Sequence, residues 1–177
     1  MHKQTPCDVC FLLLDTSLRR KYQSAGFHTK IVVKGVDMLT VTRLDIADAR
    51  VLIAGASAKA REIGVPMCIA ITDDGGNLVA FERMDGGKIT SITIAIDKSF
   101  TASAAKKATH EYGVSSQPGA PAYGIASTIG GRLVVVGGGL PVVVNGEIVG
   151  GIGVSSGTPA QDLEVAQAGV DAFLQSL

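Results

Sequence analysis

The stretch from residue 130 to residue 159 constrains the fold more than any other part of the chain. It contains three short apolar runs, over 133–136, 140–144 and 147–154, and the last two are joined by Asn145-Gly146. An Asn-Gly pair between apolar runs favours a type I′ turn, in which both central residues have positive φ. The sequence therefore predicts an antiparallel hairpin over residues 140–154, preceded by one further strand.

The residues after this hairpin predict a helix with a defined first turn. Thr158, Pro159 and Gln161 supply an N-cap, a proline at the first helical position and a glutamine at the third, which is the pattern of a capping box. Apolar residues then recur at steps of three and four, so they share one face. We expect that face, which packs on the sheet, to comprise Leu163, Ala166, Val170, Phe173 and Leu177.

An earlier helix is predicted within residues 43–66, which are rich in alanine. Asp45 and Asp48 lie early in this segment and Arg61 lies late, as the helix dipole favours, and Gly64 and Pro66 end the helix. Its predicted apolar stripe comprises Leu44, Ala47, Val51, Ala54 and Ala58.

Between these helices the sequence predicts a hairpin, a helix and a long loop. Residues 67–72 and 78–84 are typical of strands joined by a turn. In residues 88–107 the isoleucines fit the two-residue period of a strand as well as the period of a helix. The length and alanine content of this segment favour a helix. Residues 108–129, which contain prolines, glycines and serines, favour a loop that covers a pocket.

This order of elements predicts an α+β domain. Strands joined by short turns form an antiparallel sheet, with five strands expected, and the helices pack on it. A sheet of this kind leaves an exposed edge, which invites pairing between subunits.

Composition and charge exclude several classes of protein. The chain has 177 residues, 46% of them apolar, which is enough for one domain with a substantial core. Its formal net charge is zero and its basic clusters carry no interleaved aromatic residues. The electrostatic pattern of a nucleic-acid-binding protein is therefore missing, and we expect no nucleic-acid partner.

The cysteines and the hydropathy pattern favour a cytoplasmic protein. Cys68 lies in a strand-like apolar run, where a reduced thiol is ordinary. Cys7 and Cys10 form one C-x-x-C pair without the further ligands of structural zinc, so no metal site is predicted. No apolar run reaches the roughly 18 residues of a membrane span, and the amino terminus lacks the cleavage site of a secretory signal.

Three places carry residues that suit chemistry. Asp97 and Lys98 interrupt an apolar helix, where charges are costly unless paired; either they face water, or Lys98 is a tuned basic group at a pocket. Arg83 lies at the end of the first hairpin. It is either a solvated residue at the rim or a residue that binds a carboxylate through two hydrogen bonds. His110 is the only histidine after residue 37. It is either a surface residue or a ligand.

From about residue 41 onward, the chain resembles the GlcG/HbpS family of haem-degrading domains. The resemblance rests on AITDDGGNLVAFERMDG at 70–86, AIDKSFTA at 95–102 and GGGLPVVVNGEIVGGIGVSSGTPAQDLEVAQAG at 137–169. It implies a profilin-like α+β fold on an antiparallel five-stranded sheet, assembled into a homo-oligomer. It also implies relatives that bind haem, some that degrade it, and others that serve catabolic pathways as accessory proteins.

Carried over by position, the resemblance marks residues of the middle helix and of the segment after it. Asp97, Lys98 and Thr101 match an acid-Lys-x-x-Thr pattern. Thr109 ends a basic stretch of the family, although Ala108 departs from its usual residue at the step before.

Two classes of function follow, and the residues leave both open. In a haem-binding protein, Thr109, His110 or Tyr112 lies near the iron, while Lys98, Arg83 or Lys106 pairs with the propionates. In a small-molecule catabolic enzyme acting on a compact carboxylate, Lys98 serves as acid, base or anchor, with Asp97 beside it, and Arg83 holds the substrate. A non-catalytic oligomeric accessory protein is a third possibility, and fold alone does not decide among them.

Residues 1–37 show no sustained period, contain two of the three cysteines, and lie outside the resemblance. We expect them to form an extension outside the domain, which then covers 38–177.

If that division is right, a chain that begins at Met38 folds and associates as the full chain does. Circular dichroism and size-exclusion chromatography of both chains test this. Loss of soluble protein on truncation would show that the domain needs residues 1–37.

Overall fold

The computed structural model describes residues 39–177. Internal contacts divide the chain into residues 1–40 and 41–177, and every described helix and strand lies in the second unit. The predicted extension over 1–37 lies outside the described residues. In chain order the elements are α1 (Ile46–Glu62), β1 (Cys68–Asp73), β2 (Leu78–Arg83), α2 (Ser91–Ala104), α3 (Thr109–Ser115), β3 (Gly139–Val144), β4 (Glu147–Ser155) and α4 (Pro159–Leu174).

The α+β class is confirmed, but the prediction of five strands is wrong. In the described residues, four strands form one antiparallel sheet in the order β2-β1-β4-β3. The run 133–136, predicted as a strand, pairs with none of them. Its backbone is bonded to α2 instead, since the Val134 amide donates to the Thr101 hydroxyl at 3.0 Å. The Thr101 side chain therefore accepts the hydrogen bond that the Val134 amide would otherwise donate to a neighbouring strand.

The two predicted hairpins are present. Val144 pairs with Glu147 across a two-residue turn, and Asn145 and Gly146 both have positive φ, 51° and 82°, as a type I′ turn requires. In the first hairpin, Asp73 closes the turn, because its carboxylate accepts from the amides of Gly75 and Asn77, each at 2.9 Å.

Helices cover both faces of the sheet. Side chains alternate along β1: Ile69 and Ile71 pack in the main core with α1 and α4, whereas Cys68 and Ala70 pack against Ala95 of α2. The domain therefore has three layers, with the sheet in the middle. None of the described helices has both the length and the apolar character needed to cross a membrane.

Helix α1 has the predicted start but not the predicted apolar face. Asp45 caps it in a capping box with Asp48. The predicted stripe is wrong, because Ala47, Ala54 and Ala58 are exposed. In an alanine-rich helix several stripes are nearly equivalent, and the larger side chains decide which one is buried. The buried face comprises Ala49, Leu52, Ile53, Ala56, Ser57 and Ala60.

The predicted loop over 108–129 contains a two-turn helix, α3, and the 3₁₀ turn Ile125–Ser127. Helix α3 is short, and its amphipathic pattern is too brief to recognise from periodicity. The capping box of α4 is confirmed: the Thr158 hydroxyl accepts from the Gln161 amide, and Pro159 occupies the first turn.

Glycines of β4 allow the backbone of α2 to lie directly on the sheet. A Cβ placed on Gly151 would lie 2.6 Å from the Ser99 carbonyl oxygen, and one on Gly153 would collide with the Ala95 carbonyl oxygen. Since these obstacles are helix backbone, they cannot move aside as a flexible side chain can.

We therefore expect Gly153→Ala to lower the free energy of unfolding by about 3 kcal/mol, because overpacking against backbone forces the helix away from the sheet. Val143→Ala, on a more exposed position of the neighbouring strand β3, is the matched control and should cost less. Urea denaturation measures both. Equal losses for the two variants would contradict the close-approach account.

Candidate functional site

Two hollows contain three of the predicted site residues, Lys98 in one, and Lys106 and His110 in the other. The first, which we call the Lys98 cleft, has a volume of about 440 Å³ and lies between the start of α2, the end of β4 and the start of α4. The second, the His110 groove, has a volume of about 450 Å³ and lies between α3, β3 and α4. Both volumes are within the usual range for small-molecule sites.

A buried ion pair forms the wall of the Lys98 cleft. Lys98 Nζ donates to Asp162 Oδ2 at 2.7 Å and to the Val154 carbonyl oxygen at 2.9 Å. Both charged side chains are almost fully buried, with 2% of Lys98 and 3% of Asp162 exposed. The second carboxylate oxygen, Asp162 Oδ1, accepts from the Gly157 amide at 2.9 Å. The bridge therefore joins α2, β4 and the first turn of α4.

Burial changes the chemistry of the amine. It lowers the pKa of Lys98 from its ordinary value of 10.5, while the hydrogen bond and charge of Asp162 oppose that shift. An ammonium group has three donors, and the bridge uses two. The sequence allowed two interpretations of Lys98. Because its side chain is almost fully buried, the interpretation that Lys98 faces water is wrong.

Neither Asp97 nor Thr101 lines the cleft. Consecutive residues of a helix do not face the same way, and Asp97 pairs with Arg132 at 2.9 Å. Arg132 also stacks on the Phe100 ring, 3.9 Å from its centroid. The buried Thr101 hydroxyl accepts from the Val134 amide. Both residues thus fasten the segment after α3 onto α2.

The His110 groove places an exposed imidazole beside an apolar floor. His110 is exposed on α3, and Lys106 and Lys107 lie on the same rim together with Glu111. Lys107 Nζ lies 5.4 Å from the centroid of the Tyr112 ring. The floor comes from β3 and α4 and comprises Leu140, Pro141, Val143, Val170 and Leu174.

Thr109 and Arg83 are separated from this groove in different ways. Thr109 is buried, and its hydroxyl accepts from the Gly139 amide at 2.9 Å, which ties α3 to β3. Arg83 is exposed at the end of β2, and β2 and β3 are the opposite edges of the sheet. The structure therefore brings His110, Lys106 and Tyr112 to one side of the domain, and leaves Lys98 and Arg83 elsewhere.

Among residues 39–177 there is no group of three or more His, Cys, Asp or Glu side chains placed to hold a metal ion. Cys7 and Cys10 lie outside the described residues.

Comparison with known proteins identifies the family. Residues 44–171 match the model of the haem-degrading protein HbpS-like family. The chain belongs to this family. A 15.0 kDa protein encoded in the dhaT-dhaS intergenic region of Citrobacter freundii is 40% identical over 75% of this chain and 94% of its own length. The family that the motifs indicate is thereby confirmed.

Two further relatives carry ligand information in their own names. The corrinoid adenosyltransferase PduO of Salmonella typhimurium is 35% identical over 76% of this chain, which spans only 40% of that protein. A crystal structure of a PduOC–haem complex is also 35% identical, covers 74% of this chain and 95% of its own, and superposes with a TM-score of 0.72.

Sequence reasoning missed Asp162, which pairs with Lys98. The signal was present, because Asp162 lies on the same face of α4 as the buried residues Val165, Ala166 and Gly169. A charge on a buried face needs a partner. The predicted stripe began at Leu163 instead, which is only half-buried.

We expect Asp162→Asn to lower the free energy of unfolding by about 3 kcal/mol at neutral pH, since it leaves a buried ammonium without its counter-charge. The asparagine still accepts from the Gly157 amide. The double variant Lys98→Met/Asp162→Asn removes both charges and should recover most of the loss. Additive losses in the double variant would mean that the two charges do not stabilise each other.

The same variant should respond to pH. Without Asp162, burial alone acts on Lys98, so the folded chain binds that proton less tightly than the unfolded chain. Between the lowered folded pKa and the unfolded value of about 10.4, stability then rises with pH. The native chain gains stability in the same way only from its own, less strongly lowered, folded pKa. Denaturation at several pH values should therefore show the deficit of Asp162→Asn shrinking between the two folded pKa values, and a deficit constant at every pH would contradict this account.

Proposed function

We propose that this chain binds haem in the His110 groove. The observation that carries the proposal is the composition of that groove, where an imidazole and two ammonium groups surround an apolar floor. Family membership and the relative solved with haem support the choice of ligand.

The groove fits the chemical needs of a porphyrin. An apolar surface takes the macrocycle, and histidine is a common axial ligand of haem iron. His110 is exposed at the rim, so its imidazole can reach a ligand without disturbing the core. Of the three residues predicted near the iron, His110 is the one whose side chain lines this groove.

The rim also fits the two propionates. Lys106 and Lys107 outnumber Glu111 there, and lysine amines form charge-assisted hydrogen bonds with carboxylates. We assign the propionate contacts to these lysines rather than to Lys98, because Lys98 lines the other hollow. Arg83 is also set aside, because it lies at the opposite edge strand.

The remaining predicted residues have supporting roles in this proposal. Thr109 fixes α3 against β3, and Tyr112 holds Lys107 by a cation–π contact. Assembly into a homo-oligomer and a cytoplasmic location stay predictions.

Titration of the full chain with hemin and with metal-free protoporphyrin tests the site in two parts. The native chain should bind both saturably, one per chain. His110→Ala should lose the spectrum of ligated iron in the hemin titration yet still bind protoporphyrin, since the floor is intact. His28→Ala is the matched control, because it removes a histidine outside the family match.

Lys106→Gln/Lys107→Gln should weaken both ligands by about tenfold or more, as expected for lost hydrogen bonds to charged groups. Unchanged hemin spectra in His110→Ala, or loss of ligation in His28→Ala alone, would refute the groove as the haem site.

A further inference from the structure

Two serines of the Lys98 cleft have hydroxyl groups without a protein partner. Ser91 and Ser155 line the cleft with only 3% and 5% of their surface exposed. Neither side chain has a hydrogen-bond partner among the described residues. Since a hydroxyl can donate one hydrogen bond and accept others, both groups are available to a molecule bound in the cleft.

A third serine offers a donor as well. Ser156 is buried beside Ser155, and its hydroxyl oxygen accepts from the Lys88 amide at 3.0 Å. A hydroxyl that accepts one bond still has its own hydrogen to donate. Ser156 also has a φ of 128°, which is strained for a residue with a side chain. The bond from the Lys88 amide holds this hydroxyl at the cleft.

The charges of the cleft favour an anion. Lys98 retains one unused N–H, and Lys88 supplies an exposed ammonium at the mouth. The acid of the lining, Asp162, has both oxygens engaged, by Lys98 and by the Gly157 amide. The two lysines and Asp162 therefore give a net charge of plus one, and the hydroxyls of Ser91 and Ser155 can donate to an anion.

Two helices also direct their positive ends toward this place. Helix α2 starts at the cleft, and its N-cap residue Thr90 makes no capping bond with its side chain. Helix α4 starts there too; its Gln161 amide donates to the Thr158 hydroxyl, and the Gly157 amide just before the helix donates to Asp162. The dipoles thus add to the potential, while the serine hydroxyls and amines supply the contacts.

We propose that the Lys98 cleft is a second binding site, which takes a small monocarboxylate with a short apolar tail. The carboxylate accepts hydrogen bonds from Ser91 and Ser155 and faces the two lysine amines. Ile94, Val134 and Val136 line the same cleft and pack against the tail. The apolar wall and the single net charge favour this class over inorganic phosphate.

Butyrate is the probe, titrated into the ¹⁵N-labelled full chain and followed by the amide signals of Lys88, Ser156 and Gly157. We expect saturable shifts of these signals. Ser91→Ala and Ser155→Ala should each weaken butyrate by about tenfold, the effect of one hydrogen bond to a charged group. Ser103→Ala, on the same helix but bonded to Thr72 and Ser99, should bind butyrate as the native chain does.

Thermal denaturation without butyrate separates a binding role from a structural one. Ser155→Ala should keep the native melting temperature, because its hydroxyl has no partner to lose, whereas Ser103→Ala should melt earlier. Absence of saturable shifts, or unchanged affinity in both Ser91→Ala and Ser155→Ala, would refute the site. Shifts with inorganic phosphate but not with butyrate would refute the carboxylate class. Hemin binding, measured separately, bears only on the His110 groove.

Discussion

The close approach of α2 to β4 is the constraint on which the rest of the domain depends. Gly151 and Gly153 leave no side chain between strand and helix, so the helix backbone rests on the sheet. At this distance a long side chain on the inner side of α2 is enclosed between helix and sheet over most of its length. Lys98 is buried for that reason, and a buried ammonium must find a counter-charge and further acceptors.

That requirement decides where α4 lies. Asp162 neutralises Lys98 only if the first turn of α4 packs beside the end of β4, where the Val154 carbonyl oxygen takes a second N–H of the same amine. Removal of either partner leaves an isolated buried charge, whereas apolar alternatives would not select one position so narrowly. The bridge fixes the first turn of α4 beside α2 and the end of β4, and these three elements border the cleft.

The parts of the fold that local chemistry determines could be predicted from the sequence. Asn145-Gly146 can hardly form anything but a tight turn, and Thr158 with Gln161 marks a helix start whatever surrounds it. The strand count and the pairing of Lys98 depend on contacts distant in sequence. The run 133–136 has the composition of a strand, but its Val134 amide donates its hydrogen bond to the Thr101 hydroxyl. Periodicity shows which residues share an apolar face, but it does not show which distant segment packs or pairs with that face.

One helix supplies part of both hollows, and its fixed position makes them preformed. The first turn of α4 borders the Lys98 cleft and its later turns form part of the floor of the His110 groove. Besides the bridge at Asp162, α4 is held by glycine contacts with α1: a Cβ on Gly169 would lie 2.8 Å from the Leu52 carbonyl oxygen, and one on Gly55 would lie 2.5 Å from Ala172. A helix packed this closely cannot slide without breaking backbone contacts. A ligand in either hollow therefore meets a rigid wall, and little of its binding free energy goes into ordering the protein.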